Sequence, residues 1–364
     1  MKIIKNEKIW METNAIDQLK KIEMYNGVVD IIGMPDLHSG FTPVGAVIVS
    51  ENIIYPHLIG NDIACGMNFY KLNIERRKFK QDKITKKLIK FLDTDLGESN
   101  RNQNTSNNMP FKDALGTIGS GNHFLEFQEI EKIINPELAL KFQIDKKFVY
   151  TLVHSGSRGY GHKIFEDVLE IPNIINGFDF GSKEFDFYME SHEKAVKWAS
   201  SNRDLILRHI TEFVGLGDDF IKISENRHNI ITQTKENDSN IFVHRKGASE
   251  AYFGSPLIIS GSRDSFSYLV MPTEKVTEIY NSTAHGAGRK WNRGSAKSRL
   301  KNKYSLKSNS TERFKSRFVY KNLDLIFEEA PESYKNINDV IDSLVSAGYV
   351  EVIAITKPLV TFKG

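Results

Sequence analysis

The chain is nearly free of cysteine: Cys65 is the only one in 364 residues. A lone thiol closes no intrachain disulfide, so the sequence was not built for an oxidising compartment and a cytoplasmic location is expected. Long apolar runs are also missing. The first residues, MKIIKNEKIWMETNAIDQL, lack the continuous apolar core of a signal peptide, and no later window reaches the uninterrupted length a membrane span needs, so no membrane is expected. Charge of one sign is scarce as well. A formal net charge of +3 makes no case for nucleic acid, because the footprint of such binding is clustered rather than total charge. The chain shows no repeat at solenoid spacing, no stretch clean enough to read as a domain linker, and neither the dinucleotide fingerprint nor the Walker phosphate loop.

What remains has the composition of an ordinary globular protein, 40% hydrophobic and 26% charged. The first third alternates β-branched apolar runs with glycine-rich turns, in GVVDIIGMPDLHSG, VGAVIVS and NIIYPHLIGNDIACG. Such runs predict buried strands whose ends emerge as loops. ITKKLIKFLDTDLG predicts a helix with a terminal glycine, running into the polar stretch ESNRNQNTSNNMP, which reads as a mobile loop or an insert ordered by a ligand. FLEFQEI reads as a strand, FVYTLVHSGSRGYGHKIFEDVLE as strand, turn and helix, and residues 182–215 carry the 3.6 period of a helix. Strands return in SNIFVHRKGAS and SPLIISGS. The end, INDVIDSLVSAGYVEVIAITKPLVTFKG, predicts a helix and then strand-like runs. Strands and helices mix without a βαβ rhythm, so the expected class is α+β, one domain over 1–364 with mixed sheets flanked by helices.

The chemistry begins at GNDIACGMN. Asp62 and Cys65, three residues apart with a glycine on either side, can present a carboxylate and a thiolate to one point, and a metal is one way to hold a thiol as thiolate at neutral pH. Taken alone, the stretch serves equally as small buried core. Four histidines in glycine- or asparagine-rich loops shift that balance toward a metal site: His123 in GSGNHFLE, His154 in LVHSGSRG, His228 in ENRHNI and His285 in AHGAGR. His57, His162, His192 and His209 are read as surface or hydrogen-bonded side chains. Mixed Cys, His and Asp donors suit zinc, manganese or iron, and donor softness does not choose among them. HSGSRGYGH and HGAGRKWNRGSAKSR each set an arginine four residues after a histidine in glycine-rich sequence, where backbone N–H groups and a guanidinium can wrap a phosphate. Arg158, Arg289 and Lys246 of VHRKGA are candidates for that role. Lys297, Arg299, Lys301 and Lys303 are read as solvated surface charge.

Taken together, PDLHSG, GNDIACGMN, GTIGSGNHFLE, HSGSRG, HN at 228–229, HRKGA, SGS at 260–262, HGAGR, APESYK and the terminal KG stand in the order found in the RtcB family of RNA-splicing ligases. The resemblance runs from about Gly33 to the C-terminus. It implies an RtcB-like domain that seals an RNA 3′-phosphate or 2′,3′-cyclic phosphate to a 5′-hydroxyl, using GTP and two Mn²⁺ ions. By the same resemblance Cys65 bridges the two ions, Asp62 and His123 hold one, and His154 and His228 hold the other. His285 is then the nucleophile that becomes guanylylated. Glu126 and Lys363 match the positions that read guanine, whose N1 and N2 donate while O6 accepts. Tyr334 corresponds to the residue that stacks on the base, with Ser262 and Ser267 nearby, and Ala287 and Gly288 to further nucleotide contacts. Asn122, Arg158, Asn229, Lys246 and Arg289 resemble the groups that hold phosphates or RNA ends.

The chain is short for the family. KWNRGSAKSR follows HGAGR where Ser-Arg is usual, and Arg263 and Asp264 stand where small residues are common. Short members resemble dedicated RNA-repair enzymes, with a functional link to a release-factor-like protein as the expectation. Two other readings use the same residues: a metal-dependent phosphohydrolase or cyclic phosphodiesterase, and an RNA-end-binding protein without turnover.

Overall fold

The computed structural model describes residues 1–92, 110–236, 239–303, 316–322 and 324–364. Two large sheets organise them. One has the order β1 (Lys2–Ile3), β2 (Val28–His38), β3 (Val44–Glu51), β11 (Ser239–Lys246), β10 (Asn229–Glu236). The other runs β13 (Leu257–Ile259), β14 (Ser267–Pro272), β17 (Val350–Lys363), β6 (Phe124–Ile133), β7 (Phe148–Ser155), β5 (Gly66–Glu75), β9 (Phe220–Arg227), with β16 (Arg317–Tyr320) added in parallel to β17. Two small ribbons complete the strands, β4 (Ile53–Ile54) with β8 (Phe178–Asp179) and β12 (Ala248–Glu250) with β15 (Ser282–Ala284). Among the described residues the helices of ten residues or more are α1 (Thr13–Ile22), α2 (Gln81–Leu92), α3 (Arg158–Leu169), α4 (Lys183–Val214) and α5 (Ile337–Ser346). Mixed sheets with flanking helices are the α+β class that the sequence predicts.

Strand parity decides what faces what. On β7, Val149 and Val153 join the core that α2 and α4 cover with Leu88, Phe91, Ile206 and Ile210, while Tyr150 and Leu152 join the core on the opposite face. Successive strand residues point to opposite faces, so His154 shares the side of Tyr150 and Leu152. On β5, Met67 and Phe69 lie on that same side. On β17, Phe362 pairs with Leu125 toward the helices, which turns Thr361 and Lys363 to the other face together with Glu126. The five-stranded sheet is packed through Ile31, Val47 and Val49 against Ala15 and Leu19 of α1 and Val340 and Leu344 of α5.

Several predicted elements need correction. NIIYPHLIG is not a continuous strand: after β4, Pro56 opens a helical turn over Pro56–Ile59, where a missing N–H costs nothing, and Gly60 ends it at φ 75°. The strand resumes only at Gly66. The closing runs form one fourteen-residue strand, with register shifts at Ile355/Thr356 and Pro358/Val360 where the proline has no N–H for the ladder. His57 is buried against Tyr25 and Tyr55 as a core side chain rather than lying at the surface. The mobile or ligand-ordered loop expected at ESNRNQNTSNNMP lies outside the described residues apart from Pro110, which accepts a hydrogen bond from the Trp198 indole.

Candidate active site

The ends of strands from both sheets converge on one cavity of about 330 Å³. Cys65 closes the turn before β5, His154 stands one residue from the end of β7, and β5 pairs with β7 so that Met67 faces His154 and Gly66 faces Ser155. His228 occupies the single residue between β9 and β10, where the chain passes from one sheet to the other, and its N–H donates to the Cys65 carbonyl at 2.8 Å. His123 immediately precedes β6. The five predicted ligands therefore meet although they are spread over 167 residues of sequence.

Their donor atoms are close enough to share ions. Cys65 Sγ lies 3.3 Å from His123 Nε2 and 3.2 Å from His154 Nε2. His154 Nε2 lies 3.2 Å from His228 Nε2, and His123 Nε2 lies 2.8 Å from Asp62 Oδ2. They fall into two groups, Asp62–Cys65–His123 and Cys65–His154–His228, with Cys65 common to both. The electrostatics match a cation-binding cluster. Burial pushes the Cys65 thiol up, with Asp62 adding to that, and burial pushes His154 and His228 well below the usual imidazole range. Burial acts to raise Asp62, but His123, the hydrogen bond from Cys65 and the charge of Lys246 together outweigh it and hold the carboxyl low. A neutral imidazole is the ligating form, and a thiolate without a nearby cation is costly at this depth. The cluster thus fits one or two divalent ions of the zinc, manganese or iron type.

His285 borders this cluster, its ring centroid 4.7 Å from that of His228. Its Nδ1 lies 2.7 Å from Oδ2 of Asp36, a fully buried carboxylate that also accepts the His285 backbone N–H at 3.2 Å. With the proton on Nδ1, the lone pair is on Nε2. Gly288 allows this approach. It stands at φ 71°, and a Cβ there would fall 2.3 Å from the Asp36 carbonyl oxygen. Lys335 holds the segment from behind, donating to the carbonyls of Pro35 at 3.1 Å and Leu37 at 2.6 Å, on either side of Asp36.

Another part of the lining is polar and internally hydrogen-bonded. Glu126 accepts from Gln128 Nε2 at 2.7 Å and from the Thr361 hydroxyl. Lys363 Nζ lies 3.1 Å from Glu329, which also accepts the Tyr334 hydroxyl at 2.7 Å. Arg289 spans this corner, bonded to Tyr334 Oη at 3.0 Å and to the Glu328 and Trp291 carbonyls at 3.0 Å. Asn122, Asn229, Lys246, Ser262, Ala287 and Gly288 line the cavity as well. Lys246 donates to the Ile59 carbonyl at 2.9 Å, and Asn229 links the Asp62 carbonyl at 3.1 Å to the Gly247 N–H at 3.0 Å.

Of the predicted site residues, His123, Ser267 and Arg158 are not in the lining. His123 bonds to it through Asp62 and Cys65. Ser267 backs the wall by accepting the Gly261 N–H at 3.2 Å, and the Arg158 guanidinium lies against Gly119. Residues the motif reading passed over include Asp36 and His38. Both stand in PDLHSG, but nothing in that string tells that the aspartate reaches a histidine 249 positions away. Arg263 lines the cavity with its guanidinium 5.0 Å from the Phe318 ring centroid.

A cavity at the meeting of two mixed sheets, with ligand groups that share a cysteine beside a carboxylate-held histidine, agrees with the RNA-ligase family that the ordered motifs resemble. The family model described as tRNA-splicing ligase RtcB matches residues 18–110 and 96–364, and the chain belongs to that family of RNA ligases. Among its relatives, the RNA-splicing ligase RtcB2 of Escherichia coli is 37% identical over 99% of this chain and 94% of its own length. The tRNA-splicing ligases RtcB of Archaeoglobus fulgidus and Nanoarchaeum equitans are 27% and 28% identical, each over 97% of this chain and 92% of its own length.

Proposed function

We propose that this chain joins an RNA 3′-phosphate or 2′,3′-cyclic phosphate end to a 5′-hydroxyl end, with GTP as the activating nucleotide and two Mn²⁺ ions as cofactor. The observation that carries the reading is the coupling of Asp36 to His285 Nδ1 beside two ligand groups that share Cys65. A hydrolase that uses metal-bound water needs no such histidine, and a binding protein needs no carboxylate to fix its tautomer.

Asp62 and His123 would hold one ion, His154 and His228 the other, with Cys65 between them. Bound there, the ions would act as Lewis acids on phosphate oxygens. Asp36 accepts the Nδ1 proton of His285 and keeps Nε2 available as nucleophile; the positive charge that grows on the ring in the attack is met by the same buried carboxylate. Nε2 attacks the α-phosphorus of GTP, forming a P–N bond as pyrophosphate leaves. The RNA 3′-phosphate then takes the GMP from His285, and the 5′-hydroxyl displaces GMP to make the phosphodiester. Lys246 and Arg158, whose charges act on Asp62 and Cys65, are the candidate cations for phosphate oxygens. Glu126 would accept from guanine N1 and N2 and Lys363 would donate to O6, an arrangement that adenine cannot satisfy. Tyr334 supplies a ring face at that end.

The test incubates the protein with α-³²P-labelled GTP and Mn²⁺ and resolves it under denaturing conditions. A label that requires GTP and metal, is acid-labile, and vanishes in His285→Ala is expected. Label retained in that variant would remove His285 from the nucleophile's role.

A further inference from the structure

The longest helix plays no part in the chemistry just described, yet it reaches every segment that carries a ligand. Asn202 and Arg203 lie in its middle, both fully buried. The Arg203 guanidinium donates from one nitrogen to the Ala64 carbonyl at 2.9 Å and the Ser155 carbonyl at 3.0 Å, the residues directly beside Cys65 and His154. Its Nε reaches Asn68 Oδ1 at 2.8 Å, and its remaining nitrogen reaches Glu225 at 2.9 Å, three residues before His228. Asn202 takes the other side. Its Oδ1 accepts the Gly116 N–H at 2.7 Å, and its Nδ2 lies 3.2 Å from Ser155 Oγ and 3.3 Å from the Thr117 carbonyl, on the segment that leads to His123. Ser155 Oγ in turn donates to the Ile118 carbonyl at 2.8 Å.

We infer that Asn202 and Arg203 are positioning residues for the metal centre: they tie the Cys65, His123, His154 and His228 segments to one rigid helix, so that the donors are already converged before an ion arrives. The inference rests on the metal reading above. Partners one step removed from a ligand set its orientation, and losing one typically costs metal affinity rather than only stability.

The test titrates Co²⁺ into the full-length protein, following the thiolate-to-cobalt charge-transfer band that a Cys65 ligand produces, and records thermal unfolding of the same samples. Arg203→Met, Arg203→Lys and Asn202→Ala are compared with Ile206→Ala, a cavity variant in the apolar face of the same helix. Arg203→Met is expected to weaken Co²⁺ binding about 10- to 100-fold, while Ile206→Ala lowers the unfolding midpoint and binds Co²⁺ like the parent. Arg203→Lys keeps the charge but cannot reach four acceptors at once, so it should fall between; it carries the comparison if the methionine variant does not fold. Cobalt affinity that merely tracks the unfolding midpoint across all four variants would overturn the positioning role. A parent protein without the band would overturn the metal reading itself, whatever its nucleotide labelling.

Discussion

Glu126 is a carboxylate in an enclosed wall, held by Gln128 and Thr361 and facing the charge of Lys363. Burial pushes it up to about 7, against the pull of those three groups. An unfolded glutamate loses its proton near ~4.3, so between those limits the native protein binds the extra proton, and raising the pH through that window costs stability. In the role proposed for Glu126, accepting from guanine would require the ionised form. The KM for GTP in self-guanylylation should therefore rise about tenfold per pH unit below roughly 7 and level off above it, and Glu126→Gln should flatten that limb. A KM flat between pH 6 and 8 in the parent would remove Glu126 as the base-reading carboxylate. At this scale the residue types were legible, since glycine-flanked Asp, Cys and His pointed to ligands before any geometry. Asp36 was not, because an aspartate in a loop-like string announces nothing about its partner.

Between residues and fold stands the turn from β7 into α3, where the chain must pass the Asp62 carboxylate. Gly156 leaves room for it: a Cβ there would fall 2.2 Å from Asp62 Oδ1. A side-chain carboxylate can swing aside, so Gly156→Ala should cost little stability while moving a ligand. The expected outcome is Co²⁺ or Mn²⁺ affinity lowered by about tenfold or more, by analogy with other perturbed ligand shells, with the unfolding midpoint nearly unchanged. Unaltered metal affinity would show that Asp62 is not needed where it stands. Elements were well marked wherever period and length agreed, as for α4 with its Ser182 cap accepting the Phe185 N–H and its left-handed Gly215 stop. They were misread at NIIYPHLIG, where an apolar run of mixed β-branched residues conceals a helical turn set by one proline.

For the molecule as a whole, ions held by the proposed ligand cluster would add stability as well as chemistry. Ions bound only by the native state add free energy as RT ln(1 + [L]/Kd), about 2.7 kcal/mol per site at a hundredfold excess over Kd, which for a chain of this size amounts to roughly 3–4 °C in unfolding midpoint. Mn²⁺ or Co²⁺ should raise the midpoint by that order, and a chelator should reverse it. Cys65→Ser removes the donor common to both groups and should abolish most of the shift; His228→Ala leaves Asp62, Cys65 and His123 and should keep part of it. A full shift in Cys65→Ser would speak against a shared thiolate. No helix among the described residues is long and apolar enough to cross a membrane.

The sequence by itself determined the α+β class, the core strands, the long helix and the family, because strand and helix periods and ordered motifs are local properties of the chain. It also held the ligand types and the candidate nucleophile. Only the tertiary structure decided how they act together: that Asp36 holds His285, that His228 lies where one sheet gives way to the other, that parity turns Glu126, Thr361 and Lys363 to one wall, and that Arg203 braces the strand ends. Those are pairings across tens to hundreds of residues, and they follow from register and packing between elements, which no local pattern records.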